Sequence, residues 1–469
     1  MAKPIRFGTD GWRAIIAEDY TIDNLTRVAE ATGRWMNSKG MSKAVVGYDC
    51  RFGGEMFSKR TAEVLASLGI DVIMSDSFVS TPMVSLAVVK KEADMGIVIT
   101  ASHNPPSYNG FKLKSSYGGP TIPSDIAEVE DMIPEVPSVE ITSFDEHLKK
   151  GKVTLSDLST LYEDHVRANF DLEAIRNSGY RFAYDSMYGA GQEIMARLFP
   201  DMVHMHKDFN PSFHGQAPEP IDRNLKELSR KVAENPTLLL GIANDGDADR
   251  IGMYDENGHF VDSHRILLLL LRYLYEYKKL KGKVVVTFSV TDKMETLARH
   301  YGLDFEVTKI GFKYIAEIMT KETVLVGGEE SGGLAVAGHI PERDGVWNAL
   351  VILEYMAKTG KKLTELIDSI YEIVGGFAYD RDDLHLTEEV KQAVIRRCNE
   401  SMIFNIGDFA VERTENLDGY KFFFADNKGW VMIRPSGTEP VLRVYAQGPD
   451  MNTVRKILDA TRETFIGDS

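Results

Sequence analysis

Short runs rich in β-branched residues alternate with helix-period segments along nearly the whole chain, which predicts an α/β protein. Length adds a second constraint, because 469 residues at roughly 100–150 per domain make three or four domains. The third observation is punctuation: four of the apolar runs open into loops dense in serine, aspartate, glycine or arginine.

Composition bounds what those loops can do. With 43% apolar and 26% charged residues the chain is of ordinary soluble type. Lys and Arg number 54 against 70 Asp and Glu, a net charge of -16, which disfavours nonspecific attraction to nucleic acid or an anionic membrane. Any anion bound here needs a local basic pocket. Cys50 and Cys398 are too few for a disulfide framework and lack metal-site spacing, which fits a reducing compartment. Met1 to Trp12 has no signal-peptide apolar region, and the greasiest run, Ile266 to Leu271, is fenced by Arg265 and Arg272. A cytoplasmic protein without membrane or nucleic-acid partners is expected.

The first unit, expected over residues 1–150, opens with Phe7-Gly8-Thr9-Asp10-Gly11-Trp12-Arg13, a glycine-punctuated turn carrying one arginine. Residues 21–39 place apolar positions at helical spacing and stop at Gly40. A strand at Ala44 to Tyr48 ends in Asp49-Cys50-Arg51, and then a helix ending at Gly69, a strand at Ile70 to Met74 and a helix near 83–92 lead to the run Met95 to Ile99. That strand spills into Thr100-Ala101-Ser102-His103-Asn104-Pro105, which reads as a rigid exposed loop with a serine hydroxyl beside an imidazole. Such a serine is a candidate nucleophile or phosphate carrier, with an ordinary polar turn as the alternative. Asn109-Gly110-Phe111-Lys112-Leu113 follows as a turn into a strand, and Lys112 by itself reads as a solvated surface residue.

Prolines, charges and small polar residues between Pro134 and Leu158 mark a boundary, and the second unit, 151–256, starts its strands at Arg181 to Asp185. Its run Leu238 to Ala243 feeds Asn244-Asp245-Gly246-Asp247-Ala248-Asp249-Arg250. In extended backbone alternate side chains share a face, so Asp245, Asp247 and Asp249 are expected to converge, and their oxygens suit Mg²⁺ or Ca²⁺. An EF-hand has this spacing, with Glu256 at its last position, but it needs glycine where Arg250 stands and a helix where Leu238 to Ala243 reads as strand.

After the hairpin turn Asp255-Glu256-Asn257-Gly258, the third unit, 257–374, carries a helix near 264–278, a strand at Val284 to Phe288, a helix near 292–301 and Thr308-Lys309-Ile310-Gly311-Phe312-Lys313. The strand Val324 to Val326 opens into Gly327-Gly328-Glu329-Glu330-Ser331-Gly332-Gly333, where a carboxylate and a hydroxyl stand two apart among glycines that let a ligand approach. That pairing suits sugar hydroxyls. The last unit, 375–469, begins where the pattern turns polar near Gly375 to Asp383 and continues with a helix around 388–403. Strands at Tyr420 to Ala425, Gly429 to Ile433 and Leu442 to Ala446 surround Arg434-Pro435-Ser436-Gly437-Thr438-Glu439-Pro440. An arginine fork, two hydroxyls and the N–H groups of a turn make a phosphate cradle inside an acidic protein.

These loops, in this order from Gly8-Thr9-Asp10-Gly11-Trp12-Arg13 to Arg434-Pro435-Ser436-Gly437-Thr438, resemble the α-D-phosphohexomutase superfamily, the phosphoglucomutase and phosphomannomutase family. The resemblance covers nearly the whole chain and implies three similar αβ domains plus a smaller α+β C-terminal domain around a central cleft. It implies that Ser102 carries a phosphoryl group and that Asp245, Asp247 and Asp249 hold Mg²⁺, the Ser102 phosphate oxygen completing the coordination. By the same resemblance Arg13 and Arg250 lie near the transferring phosphate, and His103, Lys112 and Lys309 surround the reacting groups. Glu329 and Ser331 match the grip on the 3- and 4-hydroxyls. Arg434, Ser436, Gly437 and Thr438, with Arg443 in support, match the grip on the phosphate that is not transferred. The implied reaction converts a hexose 1-phosphate to its 6-phosphate through a 1,6-bisphosphate, with glucose 1,6-bisphosphate as intermediate and activator. Small sugar phosphates are the implied partners, and a monomer or homodimer the implied working form.

The chain departs from that pattern at Gly333, where phosphomannomutase and phosphoglucosamine types carry histidine. Glu329-Glu330-Ser331 looks more like the glucose-preferring pattern, and the general base falls to Lys112, His103 or Arg343, of which arginine is the poorest because it stays protonated. Phosphoglucosamine is the alternative substrate within the family. Two other classes compete: a metal-dependent phosphatase, which needs no second phosphate site, and a noncatalytic sugar-phosphate sensor, which needs no Ser102.

Overall fold

The structure, a computed structural model, describes residues 4–8, 10–400, 402–435 and 441–467. Among these residues the alternation read from the sequence folds into four sheets. The first holds β1 (Trp12–Ile15), β2 (Lys43–Tyr48), β3 (Asp71–Ser75), β4 (Met95–Ile99), β5 (Tyr108–Ser115), β6 (Gly119–Pro120) and β7 (Val153–Ser156), ordered β1-β5-β4-β2-β3-β7 with β6 on β5. The second holds β8 (Arg181–Asp185), β9 (Val203–Met205), β10 (Leu238–Asn244), β11 (Ile251–Tyr254) and β12 (Phe260–Val261), ordered β12-β11-β10-β8-β9. In the third, β13 (Lys283–Thr287), β14 (Phe305–Thr308), β15 (Val324–Gly328) and β16 (Leu334–Val336) run β14-β13-β15-β16. The fourth orders β17 (Ala378–His385), β18 (Asn405–Ile406), β19 (Phe409–Glu415), β20 (Tyr420–Phe424), β21 (Trp430–Pro435) and β22 (Val441–Gly448) as β17-β22-β21-β20-β19-β18.

The first three sheets share one plan. In each, parallel strands form the middle: β2 with β3 and β4, β8 with β9 and β10, β13 with β14 and β15. One of those strands then turns into an antiparallel partner, β4 into β5, β10 into β11 and β15 into β16. The serine, aspartate and Gly-Gly-Glu loops are these three connections. All therefore leave the carboxyl end of a parallel strand, the end at which α/β sheets bind ligands. The fourth sheet is antiparallel, and Arg434 sits near the end of β21 before the chain returns as β22.

Helix ends follow local chemistry. Thr21 caps the helix Ile22–Ser38 by accepting from Asn24 N, and Ser80 caps Thr81–Lys90 by accepting from Met83 N, with Pro82 in the first turn. Each such cap stabilises by about 1 kcal/mol. The apolar run Ile266 to Leu271 is buried on every side within the helix Ser263–Arg272, each leucine contributing roughly 1.5–3 kcal/mol. Among the described residues no helix is long and apolar enough to cross a membrane. One buried cluster runs from Val45 and Val98 through Leu240 and Leu269 to Leu350 and Phe377, so the first three units are fused. The fourth has its own core around Phe424, Val444 and Ile457 and meets the third through Phe288, Trp430, Met432 and Tyr445.

Three features differ from the sequence reading. Trp12–Ile15 is a strand, with Arg13 opposite Gly110 on β5, so the expected turn stops at Gly11. Sheet membership also carries two units past their expected ends at 150 and 256, because β7 pairs with β3 and β12 with β11. Finally, the polar stretch after Gly375 contains β17, whose Asp380 and Asp382 pair with Arg455. It lies at the sheet's edge, where charged side chains are tolerated and block further pairing.

Candidate active site

Ser102 follows β4 with φ 52°, in the left-handed region that disfavours residues with a Cβ. While the loop surfaces further on at Pro105, Ser102 is not exposed as expected but 1% accessible. The aspartate loop covers it so closely that a Cβ on Gly246 would lie 2.5 Å from the Ser102 carbonyl. The Ser102 hydroxyl donates to Asp245 Oδ2 at 2.8 Å, and His103 Nδ1 lies 3.4 Å from Ser102 Oγ. Burial, with Arg250 and Arg13 nearby, pushes the His103 imidazole well below its ordinary value.

The aspartates converge, though not through strand pleating. The chain turns after Asn244, with Ala248 at φ 57°, and this turn brings one oxygen of each buried carboxylate within 4.8 Å of the others. Arg250 N donates to Asp245 Oδ1 at 3.0 Å, and Thr81 donates its hydroxyl to Asp247. Asp247 Oδ1 and Asp249 Oδ1 are buried without a hydrogen-bond partner among the described residues. Burial and the two neighbouring carboxylates push Asp245 well above the usual carboxylate range. Orphaned oxygens among crowded buried acids fit a hard divalent cation held by Asp245, Asp247 and Asp249.

Lys112 is buried on β5, contrary to its solvated reading. Its Nζ lies 2.7 Å from Asp10, 2.8 Å from Asp247 and 3.2 Å from Asp249. Burial would push the ammonium down, but these carboxylates outweigh it and hold the value above normal. Asp10 shows the converse: burial raises it, while Lys112, Arg343, Lys114 and Arg13 bring it well below the usual range. Arg343 reaches from the third unit to Asp10 at 2.5 Å and Asp249 at 2.7 Å, with Glu329 at 3.7 Å. Asp10 and Arg343 thus join the site as charge partners. Sequence reasoning gave Asp10 no role and weighed Arg343 only as a base, because their partners lie in distant segments. The charged motifs containing them were the available signal.

Arg13 donates to Asn104 Oδ1 at 2.8 Å beside Asp10, while Arg250 bridges by its backbone to Gly333 and its Nε finds no partner among the described residues. Glu329 is buried at the end of β15, and burial pushes its carboxyl up to about 7 although Arg343 opposes the shift. Ser331 is half-buried nearby in the chain. Glycine at 333 has a physical reason: a Cβ there would lie 2.5 Å from Arg343 Cδ, so the missing side chain makes room for the arginine.

The remaining residues gather where the third and fourth units meet. Lys309 is exposed, the next residue's N–H donates to Asp418 at 2.8 Å, and the other Asp418 oxygen lies 3.4 Å from Arg434 Nε. Arg434 and Arg443 are opposite one another across β21 and β22. Ion pairs run from Arg443 to Asp383 at 3.9 Å, on to Arg381 at 3.0 Å and then to Glu330 at 3.8 Å, beside Glu329. Ser436, Gly437 and Thr438 lie outside the described residues.

The chain matches, in order, family descriptions of phosphoglucomutase/phosphomannomutase domain I at residues 4–139, domain II at 160–258, domain III at 262–374 and the C-terminal domain at 410–464. A phosphoglucomutase/phosphomannomutase of Thermococcus kodakarensis is 30% identical over 465 residues, covering 97% of this chain and 96% of its own. A phosphoglucosamine mutase of Methanococcus maripaludis is 30% identical with 96% of each chain covered. The crystal structure of a Thermus thermophilus protein assigned as a phosphomannomutase superposes with a TM-score of 0.87 at 32% identity, covering 99% of both chains. With all four domains matched and near-complete coverage of its relatives, the chain belongs to the phosphoglucomutase/phosphomannomutase family.

Proposed function

We propose that this enzyme interconverts hexose 1-phosphate and hexose 6-phosphate through a phosphoserine at Ser102 and a 1,6-bisphosphate intermediate, with glucose preferred and mannose next. The observation that carries the proposal is the hydrogen bond from Ser102 to Asp245 within the cluster of three buried aspartates. A hydroxyl placed there can carry a phosphoryl group beside a cation. Mg²⁺ is the proposed cation, held by Asp245, Asp247, Asp249 and Ser102, and it would supply positive charge where the phosphoryl group moves.

The other roles follow from position. Arg13 and Arg250 add fixed positive charge around the serine loop. His103 is the proposed group that exchanges a proton at the reacting oxygen, since its Nδ1 lies 3.4 Å from Ser102 Oγ. Lys112 faces three carboxylates with the three hydrogens of its ammonium and is assigned to charge balance instead of base chemistry. Glu329 and Ser331 would accept and donate to sugar hydroxyls, while Arg434, Ser436, Gly437 and Thr438, with Arg443 and Lys309, would hold the phosphate that stays.

Glucosamine phosphate is the second reading, favoured by the several phosphoglucosamine mutases among the relatives. The test is incubation of purified protein with Mg²⁺, glucose 1-phosphate and a trace of glucose 1,6-bisphosphate, then the same with mannose 1-phosphate and glucosamine 1-phosphate. Glucose 6-phosphate is expected, formed faster than either other product. Free phosphate would make the protein a phosphatase, no turnover a sensor, and faster glucosamine turnover would reverse the sugar assignment. Ser102→Ala should be inactive, and peptide mass analysis of wild type should find phosphate on Ser102.

A further inference from the structure

We propose that Arg51, acting with Asp49 and Thr100, positions the serine loop for phosphoryl transfer; the proposal rests on the reading of Ser102 as phosphoryl carrier. Arg51 stands just beyond β2, and its side chain is fully enclosed, with Asp49 at 3.4 Å as its ion-pair partner. The guanidinium is committed to backbone. Nη1 donates to the carbonyls of Pro105 at 2.9 Å and Tyr108 at 3.1 Å, and Nη2 to those of Ser102 and Asn104, each at 2.6 Å. A planar fork fixes the directions of all four bonds, so it sets these carbonyls relative to one another and to the sheet.

The other side of the loop is held by the same group of residues. Asp49 Oδ1 accepts from the Arg51 N–H at 2.9 Å, and Asp49 Oδ2 accepts from the Thr100 hydroxyl at 2.5 Å. That hydroxyl in turn accepts from Ser102 N at 2.9 Å. Both the N–H and the C=O of Ser102 are therefore fixed by one assembly. They need fixing, because φ 52° is a conformation that serine disfavours and relaxation would swing the hydroxyl away from Asp245. Phe213 from the second unit closes over the guanidinium, its ring 5.0 Å away. Enclosed on all sides, Arg51 has no surface to offer a substrate and acts through Ser102 as a positioning residue.

The test compares wild type with Arg51→Lys, Thr100→Val and Thr100→Ser. Arg51→Lys keeps the charge but loses the fork, Thr100→Val keeps the shape but loses the hydroxyl, and Thr100→Ser keeps the hydroxyl. For each, the single-turnover rate of Ser102 phosphorylation by glucose 1,6-bisphosphate is measured with Mg²⁺, together with Kd for glucose 6-phosphate and the thermal midpoint. Misplacing a reacting atom by about 1 Å costs on the order of 100-fold in rate. Arg51→Lys and Thr100→Val should slow phosphorylation by about that factor while Kd stays within about threefold, and Thr100→Ser should recover most of the loss. If Arg51→Lys does not fold, the two Thr100 variants decide. Lower midpoints with unchanged rates per folded molecule, or equal rates for Thr100→Val and Thr100→Ser, would overturn the positioning role. Wild type that never takes phosphate on Ser102 would instead remove the phosphoserine reading, and this proposal with it.

Discussion

Replacing Lys112 with methionine keeps the apolar stem and deletes the ammonium. That ammonium faces Asp10, Asp247 and Asp249 at 2.7, 2.8 and 3.2 Å in the interior. Removing one partner of a buried ion pair costs about 3–5 kcal/mol, because the remaining charge stays buried without compensation. One buried cluster ties together the three units up to Val374, and an unfolding entropy of about 2.1 cal/mol/K per residue makes about 0.8 kcal/mol/K for that block. The midpoint should therefore fall by about 4–6 °C. Mg²⁺ alters this sum, since a dication among the same carboxylates replaces part of the lost charge, and the deficit should shrink when Mg²⁺ saturates. Scanning calorimetry of both proteins, in EDTA and in Mg²⁺, reads the two effects. Equal midpoints in EDTA, or a deficit that Mg²⁺ leaves unchanged, would refute the idea that Lys112 and the cation share one set of carboxylates.

Asp247→Asn keeps the shape of the aspartate loop but removes one negative charge, so half-maximal turnover should require on the order of tenfold more Mg²⁺, about 1.4 kcal/mol. A Mg²⁺ titration that superposes on wild type would count against the site. Arg434→Ala should slow both directions of the reaction, since on the proposed mechanism the same loop holds the 1-phosphate and then the 6-phosphate, by roughly 30- to 150-fold or about 2–3 kcal/mol for a lost charge-assisted contact. Forward and reverse rates at wild-type level would take that loop out of the mechanism. Lys421 gives a pH test: burial pushes its ammonium down to about 7 from the ordinary 10.5, with Asp292 opposing the shift. The unfolded chain then binds more protons between about pH 7 and 10.5, so stability should rise with pH in that window by up to about 1.4 kcal/mol per unit. Thermal midpoints at pH 7 and 9 should show the rise in wild type and a flatter response in Lys421→Met; an undiminished rise in the variant would assign it to other groups.

What could be read from the sequence was chemistry whose parts are close in the chain. Asp245, Asp247 and Asp249, at a spacing of two, announce a carboxylate cluster, even though the turn that gathers them is not the extended strand expected. The closeness of Ser102 to His103 is legible for the same reason. Partners from other segments are not. Nothing near Lys112 announces that Asp10 and Asp249 will enclose it, and nothing near Ser102 announces that Gly246 will cover it. Burial is a property of the assembled units, so both residues read as exposed when taken alone. Elements were lost by the same logic: β1 is short and follows glycines, and β17 is a charged edge strand whose acids are answered by Arg455 on a distant helix.

The shared plan of the sheets explains how a chain with a net charge of -16 can gather the cations that the proposed phosphate sites need. No single unit collects the needed cations. The first supplies Arg13 and Lys112, the second Arg250, the third Lys309 and Arg343, and the fourth Arg434 and Arg443. In each of the first three sheets the site loop leaves a parallel strand for an antiparallel one, so the same topological position is used three times. Fusing those sheets through one core points these loops at a common space, where Arg343 meets Asp10 and Arg250 meets Gly333 across unit boundaries. The cations reach this space only through assembly, Lys112 and Arg343 already paired with carboxylates there, and low-dielectric walls strengthen each local pairing relative to the field of the chain's net charge. The carboxylates are distributed in the same way: Asp10 from the first unit shares Lys112 with Asp247 and Asp249 from the second, so acidic and basic partners alike become a site only when the units close around them.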